Sequence, residues 1–101
     1  MWKEEDNKLK KSFTFKDFRE AFAFMTTVSE AVNELDHHPF WTNTYNKVNF
    51  ELNTHDAGDV VTEKDKQLAV AIDAIFEKTK KYATFALLFF RTKIKNNKNK
   101  I

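Results

Sequence analysis

The sequence predicts an α+β domain, a four-stranded antiparallel sheet with helices packed on one face. The expected order is strand, strand, helix, strand, strand, helix. Three observations carry this. A pair of short segments with alternating apolar residues opens the chain. A second such pair lies near its middle. After each pair the apolar spacing lengthens to steps of three and four, the period of a helix. Strand pairs separated by helices in this way build an antiparallel sheet with the helices on one side.

The elements follow in order. Trp2 to Glu5 reads as a short strand, and Asp6-Asn7 as a turn, since both residues tolerate left-handed backbone. Leu9, Lys11, Phe13 and Phe15 alternate with Lys10, Ser12 and Thr14, so a half-buried strand is expected with Lys11 as its one misfit. From Lys16 to about Leu35 the residues Phe18, Phe22, Met25, Val28, Val32 and Leu35 mark one helical face. Asp17 and Glu20 fall in its first turn, where the helix dipole favours negative charge. Pro39 blocks continuation, which leaves Asp36, His37 and His38 at the helix exit. Thr42 to Tyr45 and Val48 to Thr54 read as strands around Asn46-Lys47. If the second stays regular, His55 projects from its polar side; a bulge reverses that. Ala57-Gly58-Asp59 is a loop. Thr62-Glu63-Lys64-Asp65 resembles a capping box, with Leu68, Ile72, Ile75, Phe76 and Thr79 on the helical face that follows. That helix stops near Lys80 or runs to Phe90; the pattern leaves both open.

A chain of 101 residues is one small domain, and eleven Phe, two Trp and two Tyr suffice for an apolar core. The absence of cysteine excludes a disulfide framework and a thiolate metal site, and fits a reducing compartment. No secretory signal pattern opens the chain. The longest apolar run, Tyr82 to Phe90, spans nine residues where a membrane helix needs roughly 20. A cytoplasmic location without membrane contact is expected. Charge is unevenly spread: residues 1–77 carry a net −6 and residues 78–101 a net +8. An acidic domain makes a poor binder of phosphate backbones, so no direct nucleic-acid contact is expected. The expected division is a domain over 1–80 and a basic extension of unknown role over 81–101, with residues 96–101 disordered.

The chemistry concentrates in three histidines, His37, His38 and His55, the only ones in the chain. Imidazole titrates nearest physiological pH, so such a cluster suggests proton transfer or a metal site. Zinc with an open water position would suit three histidines, yet neighbours in sequence rarely aim at one ion and no fourth ligand is evident.

Six stretches carry a family resemblance. They are Phe13-Thr-Phe-Lys-Asp-Phe18, Phe24-Met25, Leu35-Asp-His-His-Pro-Phe-Trp41, Tyr45-Asn-Lys-Val48, Leu52-Asn-Thr-His-Asp-Ala-Gly58 and Thr62-Glu-Lys-Asp65 with Leu68-Ala69. Together they resemble pterin-4a-carbinolamine dehydratase over about residues 2–77. The resemblance implies a lyase without a cofactor. It removes water from 4a-hydroxytetrahydropterin to give the quinonoid dihydropterin, and so recycles tetrahydrobiopterin. It implies His37, His38 and His55 as active-site histidines, His37 and His55 exchanging protons and His38 positioning the pterin. Lys64 and Asp65 map to the rim of the site, and Asp36, Pro39 and Trp41 shape the pocket. A homodimer or homotetramer is implied as well. Animal members also serve as dimerisation partners of a homeodomain transcription factor, which makes a binding role the alternative. This chain departs from the family pattern in three places. The family usually has a helix before the first strand, whereas this sequence begins at Met1-Trp2. The loop Ala57 to Thr62 is one residue longer and lacks a second Gly. The segment after Glu77 has no counterpart, and Tyr82 to Phe90 is a candidate cover for the surface that the missing helix would protect.

Overall fold

A computed structural model describes residues 1–80. Strands β1 (Lys3–Glu5), β2 (Lys8–Thr14), β3 (Phe40–Thr44) and β4 (Lys47–Leu52) form one antiparallel sheet in the order β1-β2-β4-β3. Helix α1 (Phe18–Leu35) separates the two hairpins, and helix α2 covers residues 63–80. The predicted fold class and element order are therefore found. The extension from residue 81, and with it the question of where α2 ends, lies outside the described residues.

Local chemistry explains the turns. Asp6 and Asn7 both sit at positive φ, 53° and 60°, and join β1 to β2 so that Glu5 faces Lys8. This is the left-handed pair that matches strand twist in a two-residue hairpin. In the second hairpin the turn is Tyr45-Asn46, one residue earlier than expected, and Lys47 already pairs with Thr44. Asn46 moves the boundary. Its side-chain amide donates to the Phe15 carbonyl at 2.9 Å, and its own carbonyl accepts from the Phe15 amide at 2.8 Å.

The core forms between the sheet and the two helices. Phe13, Val48, Phe50 and Leu52 from β2 and β4 meet Phe24, Val28 and Val32 of α1 and Leu68, Ala69 and Ile72 of α2. Phe13 is its centre, with ring centroids 5.2 Å from Phe24, 5.7 Å from Phe50 and 4.8 Å from Phe76. Burying each such ring contributes about 2–3 kcal/mol. Lys11, the misfit of β2, stays on the core side and reaches over the Phe13 ring, 4.9 Å from its centroid, to Asp73 of α2 at 2.8 Å. Trp2 donates its indole N–H to the same carboxylate at 3.1 Å. The β1–β2 edge is thus tied to α2.

The buried face of α1 differs from the expected stripe in its first half and at its last residue, Leu35, which is exposed. Ala21, Phe24, Val28 and Val32 are buried, whereas Phe18 and Phe22 are 45% and 55% exposed and stack on each other at 5.6 Å. Two apolar ladders overlap on this helix, and Phe24 wins the core because it meets Phe13 and Phe50. Asp17 is the N-cap itself, accepting the Glu20 amide at 2.9 Å.

Candidate active site

Two segments bring chemistry-bearing residues to one end of the sheet, the exit of α1 and the loop after β4. Helix α1 ends in paired reverse bonds. The Asp36 amide donates to the Asn33 carbonyl and the His37 amide to the Val32 carbonyl, each at 3.2 Å. Asp36 takes the left-handed conformation that closes this stop, with φ 48°. Aspartate accepts that region more readily than most side chains, because its short carboxylate bonds locally. The chain then becomes extended, so His37 turns inward and its neighbour His38 outward to solvent.

His37 Nε2 lies 2.5 Å from Asp65 Oδ1. The Asp65 side chain is 0% exposed and that of His37 only 11%. Asp65 Oδ2 accepts from the Thr62 amide and from the Thr54 hydroxyl, each at 2.8 Å. Burial pushes the Asp65 carboxyl upward, but the bonds from His37, Thr62 and Thr54 outweigh it and hold the group below the usual carboxylate range. Asp65 is therefore an anion at neutral pH and can only accept. His37 therefore donates through Nε2, and in the neutral ring Nδ1 bears the lone pair.

The expected placement of Asp65 at a rim is corrected by its burial. The capping box explains this. Asp65 reaches back to the Thr62 amide, as a box requires, but the Thr62 hydroxyl does not bond the Asp65 amide. That hydroxyl faces Thr54 Oγ1 at 2.6 Å instead. The cap has been absorbed into the support of His37. Lys64, one residue earlier on α2, is exposed.

His55 stands differently. Strand β4 stops at Leu52, and His55 begins a 3-10 turn, His55–Ala57, so the projection expected from a continuing strand does not apply. Gly58 and Asp59 close the turn at φ 92° and 58°. The Asp59 carboxylate meets His55 Nδ1 at 2.9 Å, with the His55 and Asp59 side chains 89% and 64% exposed. The hydrogen bond and charge of Asp59, and then the charge of Asp56, raise the His55 pKa above the ordinary imidazole value.

His37 and His55 are thus joined through Asp65 and Thr54, while His38 is adjacent to His37 and faces solvent. Pro39 is half-buried where the chain enters β3. Trp41 packs on Phe50, ring centroids 5.3 Å apart. It also lines a groove of about 420 Å³ between α1 and β3 with Phe22, Met25, Thr26, Ser29, Thr42 and Asn43. None of the histidines lines that groove. Among the described residues, no three His, Cys, Asp or Glu side chains come together as a metal site, and no helix is long and apolar enough to cross a membrane. Sequence reasoning missed Thr54, Thr62 and Asp59 as supports. The box spacing Thr62 to Asp65 was the available signal for one of them.

Comparison with known proteins identifies the family. The sequence model for the family described as Pterin 4 alpha carbinolamine dehydratase matches residues 1–75. A Synechococcus protein with the provisional name pterin-4-alpha-carbinolamine dehydratase is 50% identical over 74 residues, covering 73% of this chain and 78% of the relative. A Bradyrhizobium protein with the same provisional name is 51% identical over 76 residues, 73% of this chain and 76% of its own. The crystal structure of a transcriptional coactivator/pterin dehydratase from Brucella melitensis superposes with a TM-score of 0.70 at 42% identity, covering 73% of this chain and 80% of that one. A pterin dehydratase-like protein identified as a RuBisCO assembly factor in the alpha-carboxysome shares the fold alone, with a TM-score of 0.60 at 22% identity over 74% of this chain and 86% of the other. The chain belongs to the pterin 4 alpha carbinolamine dehydratase family.

Proposed function

We propose that this chain dehydrates 4a-hydroxytetrahydropterin to the quinonoid dihydropterin, with His37 as base and His55 as acid. The buried His37–Asp65 pair is the observation that carries the reading. Loss of the 4a-hydroxyl needs a proton on the leaving oxygen, and the adjacent ring N–H must give one up. The products are then the quinonoid pterin and one water. An ionised Asp65 keeps His37 Nδ1 free to take the ring proton. Asp59 favours the charged form of His55, which suits a donor to the leaving hydroxyl. A positioned general acid or base contributes roughly 10²–10⁴-fold. His38 holds the pterin, and Lys64 and Asp36 border the bound ring. Asp65 serves substrate through His37, and Pro39 and Trp41 set the wall beyond it.

Self-association is part of the same proposal. Strand β3 lies at the sheet edge and carries Phe40, 63% exposed. Such an edge is closed by pairing with a second copy across a twofold axis. Stopped-flow mixing with 4a-hydroxytetrahydropterin tests the activity; dehydration no faster than the spontaneous rate would refute it.

A further inference from the structure

We propose that Thr54 is the positioning residue that holds His37 and His55 in one geometry. The inference rests on the dehydratase reading and adds the device that couples its two proton-transfer groups. Thr54 is 9% exposed and precedes His55 directly. Its side chain serves one histidine and its backbone the other.

On the side-chain side, Thr54 Oγ1 lies 2.8 Å from Asp65 Oδ2 and 2.6 Å from Thr62 Oγ1. A hydroxyl has one proton. The carboxylate can only accept, and the alternative donor, Thr62 Oγ1, is 3.5 Å from it. Thr54 therefore donates to Asp65, and Thr62 donates to Thr54. This fixes Oδ2, so that Oδ1 is aimed at His37 Nε2.

On the backbone side, the Thr54 amide donates to the Val60 carbonyl at 2.8 Å. Its carbonyl accepts from Ala57 at 3.2 Å and Asp59 at 3.1 Å. These bonds close the turn that presents His55 and place Asp59 beside it. Moving Thr54 moves both histidines together.

Thr54→Val keeps the branched shape and the backbone bonds and removes the hydroxyl, both the proton donated to Asp65 and the oxygen that accepts from Thr62. Thr54→Ser keeps the proton. Three readouts on the full chain test the proposal: the Asp65 carboxyl titration by ¹³C NMR, the His37 ring tautomer by ¹⁵N NMR, and dehydration kinetics. In Thr54→Val the Asp65 midpoint rises by about one pH unit, the worth of one hydrogen bond to a charged group. The His37 ring loses its single Nε2–H tautomer. The value of kcat falls about tenfold with KM within twofold, the pattern of an interaction made in the transition state. Thr54→Ser restores all three. Thr62→Val, which removes no direct bond of comparable length to Asp65, has a smaller effect. An unchanged Asp65 midpoint and tautomer in Thr54→Val overturn the proposal. So does a failure of Thr54→Ser to restore them, which would assign the effect to the methyl group. If the midpoint moves in a chain whose unmodified form dehydrates nothing, the Thr54 linkage stands and the dehydratase reading falls.

Discussion

The molecule contains two histidine–aspartate pairs of similar geometry and opposite surroundings. His37–Asp65 is 2.5 Å long and almost wholly enclosed, whereas His55–Asp59 is 2.9 Å long and lies open to water. The enclosed pair is held by two further donors, the Thr62 amide and the Thr54 hydroxyl, and fixes orientation, tautomer and stability at once. The open pair is screened by solvent and sets little beyond the charge of one ring. One contact type thus performs two tasks, and burial decides which.

Asp65→Ala tests the enclosed pair most severely. It strips partners from His37, Thr54 and the Thr62 amide together, so a loss of about 3 kcal/mol or more is expected in denaturant unfolding, along with activity. A stability within 1 kcal/mol of the parent would show that the pair does not anchor the fold. His37→Ala should lower kcat by about 10²-fold or more and also lower Tm, because it leaves the Asp65 charge enclosed without its partner. His55→Ala should match that fall in kcat while leaving Tm unchanged, since its side chain lies in solvent. Equal losses of Tm in both variants would erase the contrast between the pairs.

The pH dependence separates them further. Asp65 has a lowered carboxyl pKa in the folded chain, so its contribution to stability is present above the unfolded value of about 3.9 and is lost as pH falls through the folded one. His55 has a raised pKa, so its contribution is complete below about 6.5 and disappears as pH rises through the folded value. Asp59→Asn should bring the alkaline limb of the rate profile to lower pH by a few tenths of a unit, the smallest effect in the series. Movement of the limb to higher pH would contradict the role given to Asp59.

The elements and the histidines were legible in the sequence because periodicity and residue type carry them. Phe13, Phe50 and Leu52 alternate, and Asp36-His37-His38-Pro39 announces a helix stop with imidazoles beyond it. The support of the site was harder to read. Thr62 and Asp65 have capping spacing, and only the approach of Thr54 from the end of β4 diverts their side chains toward His37. A contact across 28 positions leaves no local trace. The partition of α1 failed for a related reason. Phe22 and Phe24 are equal as apolar residues, and the partner rings across the sheet choose between them.

The left-handed stop at Asp36 makes the length of α1 a setting of the site. Each residue of a helix turns the chain by about 100° and advances it 1.5 Å. One residue inserted before Val32 would swing the exit of the chain by that angle and aim the imidazole away from Asp65. An insertion of a whole turn would keep the direction but carry the ring about 5 Å past its partner. The His37–Asp65 contact therefore places no constraint on the exposed surface of α1, but it fixes the residue count between the Phe24 contact and the left-handed Asp36.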